Sequence, residues 1–280
     1  MTSLFYTLYI IGNGFDLAHG MKTRYADFKQ WLIENNRIDV IHELQSAYPA
    51  RIGNDFLLWS DFEIALGQYD IKKVINWSWE DLFLTTVSIG GQRFDSPQFF
   101  LDAQLNDIIN GAFSAWAKQI PLAENSVYTL PEDALYLTFN YTDTLETLYG
   151  IPDKQVLHIH GRASTGDKLI VGHNRMIDSG EYWDDRIELR ENNERMQRLW
   201  NMNDLCKPFD KIIESNESFF GQMKDVRDVH IIGHSCGEID YPYFRKIKVS
   251  VSEKAQWHFN PHCEEDERRI EKIKTTIGIR

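Results

Sequence analysis

The chain has 280 residues, 42% of them hydrophobic, enough for one large α/β domain or for a core carrying an inserted lobe. A net charge of −12 at pH 7 argues against broad binding to nucleic acid or to an anionic membrane surface, both of which need a basic face. Three widely spaced cysteines, Cys206, Cys236 and Cys263, make neither a C-x-x-C pair nor an even framework; with no apolar stretch of membrane-spanning length and no basic leader before the first strand, the expected setting is the cytoplasm.

The first element is Leu8–Ile11, apolar without alternation, as a strand buried on both faces of a parallel sheet reads. It stops at Gly12, Asn13 and Gly14, and helix-forming residues follow from Phe15. Strand, tight turn and helix start together suit an anionic or polar ligand, most often a nucleotide. Leu17 stands where a dinucleotide fingerprint has its third glycine, and Asp16 either caps the helix or faces the ligand site.

From Tyr25 to about Ile120, apolar and aromatic residues recur at three- and four-residue steps, among them Phe28, Trp31, Leu32, Phe56, Trp59, Phe62, Ile64, Leu66, Phe99, Phe100, Leu105, Ile108, Ile109 and Phe113. Such a stretch is too long for a strand crossover, so 25–127 is expected to be a helical insertion lobe whose aromatics form its own core. Strand character returns at Leu135–Phe139, Val156–Ile159, Leu169–Val171, Val229–Ile232 and Ala255–Phe259, with Tyr182–Lys224 helical and a closing helix at Glu264–Ile277. The expected layout is a Rossmann-like open parallel α/β sheet from 1–24 and 128–280. The lobe and a second insertion at about 178–227 would form a helical cap.

Nearly every expected strand ends in a polar cluster: Gly12–Asp16, Thr138–Asp143, His158–Gly161, Gly172-His173-Asn174, and Gly233-His234-Ser235 followed by Asp240. In a parallel sheet these ends share one edge, where ligands bind. Alternation puts His158 and His160 on one strand face, and His160, beside Gly161, is the better candidate for function. His158, His160 and His173, with Asp16 or Asp240, are the alternative metal ligands, although no acid is interleaved with the histidines. His230 and His258 lie inside strands and read as structural, and Asn140 serves either the turn or a ligand. Neither a G-x-S-x-G elbow nor a phosphate-binding G-x-x-x-x-G-K-[ST] loop occurs.

The stretches LYIIGNGFDLAHGMKTRYADF, LTFNYTDTLETLYG, VLHIHG, LIVGHN and VHIIGHSCGEIDYPYF resemble the AbiH family of bacterial abortive-infection (phage-resistance) proteins. More distantly, their order is similar to the sirtuin-like NAD-binding fold. That resemblance implies a cofactor turn at Gly12, Asn13, Gly14 and Phe15, a ribose pocket at Asn140 and Asp143, a catalytic imidazole at His160 beside Gly161, and a distal turn at Gly233, His234 and Ser235. His173, Asn174 and Asp240 are further cofactor contacts. The cysteine pairs of the sirtuin zinc module are absent, which argues against protein deacylation.

The reading that follows is an antiphage effector that takes NAD as substrate or ligand, needs no metal, and cleaves the nicotinamide ribosidic bond. Asn140 would hold the ribose, His160 act as general base, and Asp16 or Asp143 stabilise positive charge. Its rivals are a non-catalytic NAD or ADP-ribose sensor and a metal-dependent nuclease or phosphoesterase. The expected partners are a small-molecule nucleotide and, among proteins, a second copy or a defence-system component.

Overall fold

The computed structural model describes residues 5–41, 59, 62–68, 71, 88–89, 92–93, 105–261 and 263–279. The chain divides into two compact units. One comprises 1–24, 117–169 and 208–280; the other comprises 25–116 and 170–207. Residues 117–127 and 208–227 therefore belong with the sheet, where the sequence reading put them in the insertions.

The first unit is an all-parallel sheet of β1 (Thr7–Ile11), β4 (Leu135–Thr138), β5 (Val156–His158), β6 (Asp228–Ile232) and β7 (Gln256–Phe259), in the order β5-β4-β1-β6-β7. Counted along the chain, the order is 3-2-1-4-5, the doubly wound arrangement expected, with its reversal at β1 and β6. β1 is central, and Leu8, Ile10 and Ile11 are fully buried, as the unbroken apolar run requires. On one side Ile11 and Phe15 pack with Tyr136, Leu145 and Ile151. After β6, helix α8 (Tyr241–Ser250) buries Tyr243, Phe244 and Ile247, and α9 (Glu264–Ile277) follows β7 with Ile273 and Ile277 inward.

Tyr136, Tyr9, His230 and His258 occupy neighbouring strands in register, and their rings stack at 5.3, 4.9 and 4.5 Å. His230 and His258 thus have the structural position expected of them. Burial, and then the neighbouring His258, lowers the His230 pKa.

The second unit contains α2 (Tyr25–Glu34), α3 (Phe62–Leu66), α4 (Leu105–Ala117, whose last residue falls in the first unit) and α5 (Leu189–Asn203). Phe28 is its hub, with Phe113 and Trp116 rings at 5.2 Å and Phe62 at 6.3 Å. The described aromatic stripe is core, apart from Trp31, which is half-buried, and Ile64, which is exposed; Phe56, Phe99 and Phe100 lie outside the described residues, as do the side chains of Leu105 and Ile108. Two expectations fail here. The stretch is not helical throughout, because β2 (Ser88–Ile89) and β3 (Gln92–Arg93) form a small antiparallel ribbon. Leu169–Val171 is not a strand either: the nearest pairing is a single bridge between His173 and Cys206, in which His173 N–H donates to Leu205 O and His173 O accepts from Lys207 N–H. Among the described residues, no helix is long and apolar enough to cross a membrane.

Candidate functional site

The carboxyl edge of the sheet in the first unit joins the loops after β1, β4, β5 and β6. The first and last meet at the sheet's reversal. Gly12 N–H donates to Ile232 O at 3.0 Å and Gly14 N–H to Gly233 O at 2.8 Å, prolonging the β1–β6 ladder past both strands. Two donors of the glycine turn are therefore committed to protein carbonyls. A Cβ at Gly12 would stand 2.5 Å from His234 Cα, and one at Gly14 2.7 Å from Gly233 Cα, so these glycines serve close backbone approach. Asn13 turns outward and donates its amide to Thr23 O at 3.0 Å.

The six-residue α1 (Asn13–Ala18) has no side-chain cap, which corrects the capping reading of Asp16. Asp16 is almost fully buried and accepts hydrogen bonds from Thr142 Oγ1 at 2.5 Å and Thr144 Oγ1 at 2.8 Å, tying the β1 turn to the β4 loop. Burial raises its pKa, opposed by the two hydroxyls, the nearby Asn140 amide and His19. The Asn140 amide nitrogen is itself buried and, among the described residues, outside full hydrogen-bond geometry with any acceptor, the Asp16 carboxylate being its electrostatic neighbour. A buried donor held out of hydrogen-bond geometry is costly, and an oxygen acceptor brought to it would lower that cost. At the other end of α1, His19 Nδ1–H donates to Phe15 O at 2.7 Å and Nε2 accepts from Tyr149 Oη at 2.7 Å, seating Phe15 in a box of His19, Tyr128 and Tyr149.

At the end of β5 the two histidines separate. His158 bonds the Asn140 carbonyl and the Glu146 carboxylate. His160 is buried, with its ring against Phe139 (5.3 Å), Tyr243 (5.5 Å) and Tyr141 (6.3 Å). Gly161 turns the chain at φ +87°, and Arg162 then donates from Nε to Asp143 Oδ1 at 2.7 Å, while Ser164 Oγ donates to the same oxygen at 2.8 Å. Asp143, expected at a ribose, is thus engaged with Arg162 and Ser164. The carboxylates of Asp143 and Asp153 hold the Arg162 guanidinium above its ordinary pKa.

At the end of β6, His234 Nδ1 accepts the Cys236 N–H at 2.9 Å, so its proton sits on Nε2, which faces Asp240 Oδ2 at 3.4 Å. Its ring lies 4.3 Å from that of Phe139, which brings the β6 loop to the β4 and β5 loops. Burial and Asp240 push the Cys236 thiol up to about 12, so it is no nucleophile. Ser235 is exposed at the mouth of a cleft of about 190 Å³ bounded by Gly14, Gly233, Phe259, Asn260 and Ile270.

The fifth cluster falls in the second unit. His173 donates from Nε2 to Met202 O at 3.0 Å and accepts the Arg175 N–H on Nδ1 at 3.1 Å, while Asn174 is exposed. Burial lowers the His173 pKa to about 4, so the folded state holds this ring neutral. Its contribution to stability is complete above the unfolded value near 6.5 and is lost as pH falls through about 4. Acidification over that window is expected to cost the wild type about 3 kcal/mol more than His173→Gln, read by urea denaturation at each pH.

Of the residues singled out from the sequence, Gly12, Asn13, Gly14, Phe15, Asp16, Asn140, Asp143, His160, Gly161, Gly233, His234, Ser235 and Asp240 share the first unit's edge loops; His173 and Asn174 are in the other unit. Among the described residues, no three His, Cys, Asp or Glu side chains are grouped as a metal site. The sequence reading placed Phe139 and Thr142 in the β4 cluster but missed Thr144, Glu146 and Tyr243. Thr144 and Glu146 continue the same motif, where their spacing from Thr142 was the available signal.

Comparison with curated proteins and with solved structures returned no match. The family model described as bacteriophage abortive infection AbiH matches residues 8–261, a span holding every loop of the carboxyl edge. The chain belongs to the AbiH family of bacteriophage abortive-infection proteins.

Proposed function

We propose that this abortive-infection protein hydrolyses NAD at the nicotinamide ribosidic bond, at the carboxyl edge of its parallel sheet. The observation that carries the reading is the buried Asn140 amide, which lies near the Asp16 carboxylate but, among the described residues, meets no acceptor in full hydrogen-bond geometry, at an edge where doubly wound sheets bind nucleotides. Cleavage through an oxocarbenium-like state asks for a fixed ribose, a sheltered water and a proton acceptor rather than a strong nucleophile. Asn140 would fix a ribose hydroxyl. His160, on the neighbouring loop and walled by Phe139 and Tyr243, would take the proton from water. The committed N–H groups of Gly12 and Gly14 do not fit a phosphate cradle, so neither is given a part in holding the diphosphate.

Incubating the purified chain with NAD and resolving products by mass spectrometry tests this reading. Free nicotinamide with ADP-ribose is the expected result. NAD that raises the melting temperature yet stays intact would make the protein a nucleotide sensor, the alternative favoured by the burial of Asp16, Asn140 and His160.

A further inference from the structure

His158, set aside above in favour of His160, is joined to Asn140, whose buried amide lacks an acceptor in full hydrogen-bond geometry among the described residues. Asn140 has both of its own backbone groups held: its N–H donates to Thr138 Oγ1 at 3.0 Å, and its carbonyl lies 3.1 Å from His158 Nδ1. A carbonyl only accepts, so His158 Nδ1 must carry a proton. The ring's other nitrogen lies 2.7 Å from Glu146 Oε1, and Arg162 Nη1 approaches the same oxygen at 3.7 Å. Arg162 is anchored in turn on Asp143 and Asp153. The ring thus spans from the β4 loop to the turn at Thr144–Leu148, with both side chains of the His158–Glu146 pair more than nine-tenths buried.

We infer that His158 is a positioning residue: its Nδ1–H fixes the peptide that aims the Asn140 amide, and Glu146 holds the ring for that task. The purpose rests on the reading that Asn140 meets substrate, whereas the geometry does not. The two ends of the ring can be separated by substitution. An asparagine amide reaches the place of Nδ1 and keeps the bond to the Asn140 carbonyl; a glutamine amide reaches the place of Nε2 and keeps only the bond to Glu146.

The test is nitrogen-15 NMR on the full chain without NAD, so that its failure and a failure to cleave NAD are separate results. The side-chain amide pair of Asn140 is assigned by its loss in Asn140→Ser. The wild type and His158→Asn are expected to show this pair at the same dispersed positions, and His158→Gln to shift it towards the positions of a solvent-exposed amide. A His158→Gln spectrum like the wild type, or two variants that shift it equally, overturns the inference. The wild-type imidazole spectrum needs no variant: a proton-bearing Nδ1 on His158 is expected, and a bare Nδ1 overturns the assignment.

Discussion

Gly233→Ala is expected to lower stability by about 2–5 kcal/mol, measured by urea denaturation. Position 233 has φ +66°, where a side chain costs about 1–2 kcal/mol, and its methyl would stand 2.5 Å from the Gly14 carbonyl carbon. That neighbour is backbone at the meeting point of β1 and β6, so relief requires moving the central ladder, at about 1–3 kcal/mol more. Gly166→Ala is the control: its φ is +80° and nothing lies within 4 Å of the added carbon, so only the conformational cost applies. Equal losses in the two variants would show that the turns after β1 and β6 are not packed against each other as described.

The second large effect belongs to Asp16. Asp16→Ala leaves the buried Thr142 and Thr144 hydroxyls only each other, at 3.1 Å, and Met21 Sδ as partners and is expected to cost about 3 kcal/mol, since each bond to a charged acceptor contributes about 1.5–3 kcal/mol and some of that is recovered by this re-pairing. Asp16→Asn keeps the shape. Its pH dependence carries the sharper test. Burial raises the Asp16 pKa above its unfolded value, so the stability linked to its protonation is complete below the unfolded value near 3.9 and lost as pH rises through the folded one. The wild type should therefore gain on Asp16→Asn as the solution is acidified through that interval. A wild type that loses ground to Asp16→Asn on acidification would mean that the two hydroxyls outweigh burial.

Much of the scaffold was legible because its signals are local. The unbroken apolar run Leu8–Ile11 belongs to a strand covered on both faces, and Glu264–Ile277 has the expected bounds with Ile273 and Ile277 inward. In that helix Arg269 pairs with Glu265 four residues earlier, and Arg268 approaches the Glu264 carbonyl. Leu169–Val171 misled because a short apolar run can be buried outside a sheet, as Leu169 and Val171 are. The convergence of four loops followed from parallel-strand geometry, but which donors remain available did not. Gly12 and Gly14 read as a ligand turn, and only the long-range approach of Ile232 and Gly233 shows their N–H groups taken. Asp16 was left between a cap and a site residue for the same reason, since its partners are more than a hundred residues away. His158 ranked below His160 in the sequence, and only the Asn140 carbonyl, in a different loop, shows which partner its ring holds.

The most direct test of the proposed chemistry is the rate of nicotinamide release from NAD by the wild type, Asn140→Ala and His160→Ala, with folding checked by melting temperature. Release by the wild type is expected, with each folded variant slower by about 100-fold or more, the usual contribution of a positioned general base or of an oriented substrate. Release that survives both substitutions, or none from the wild type, would contradict it.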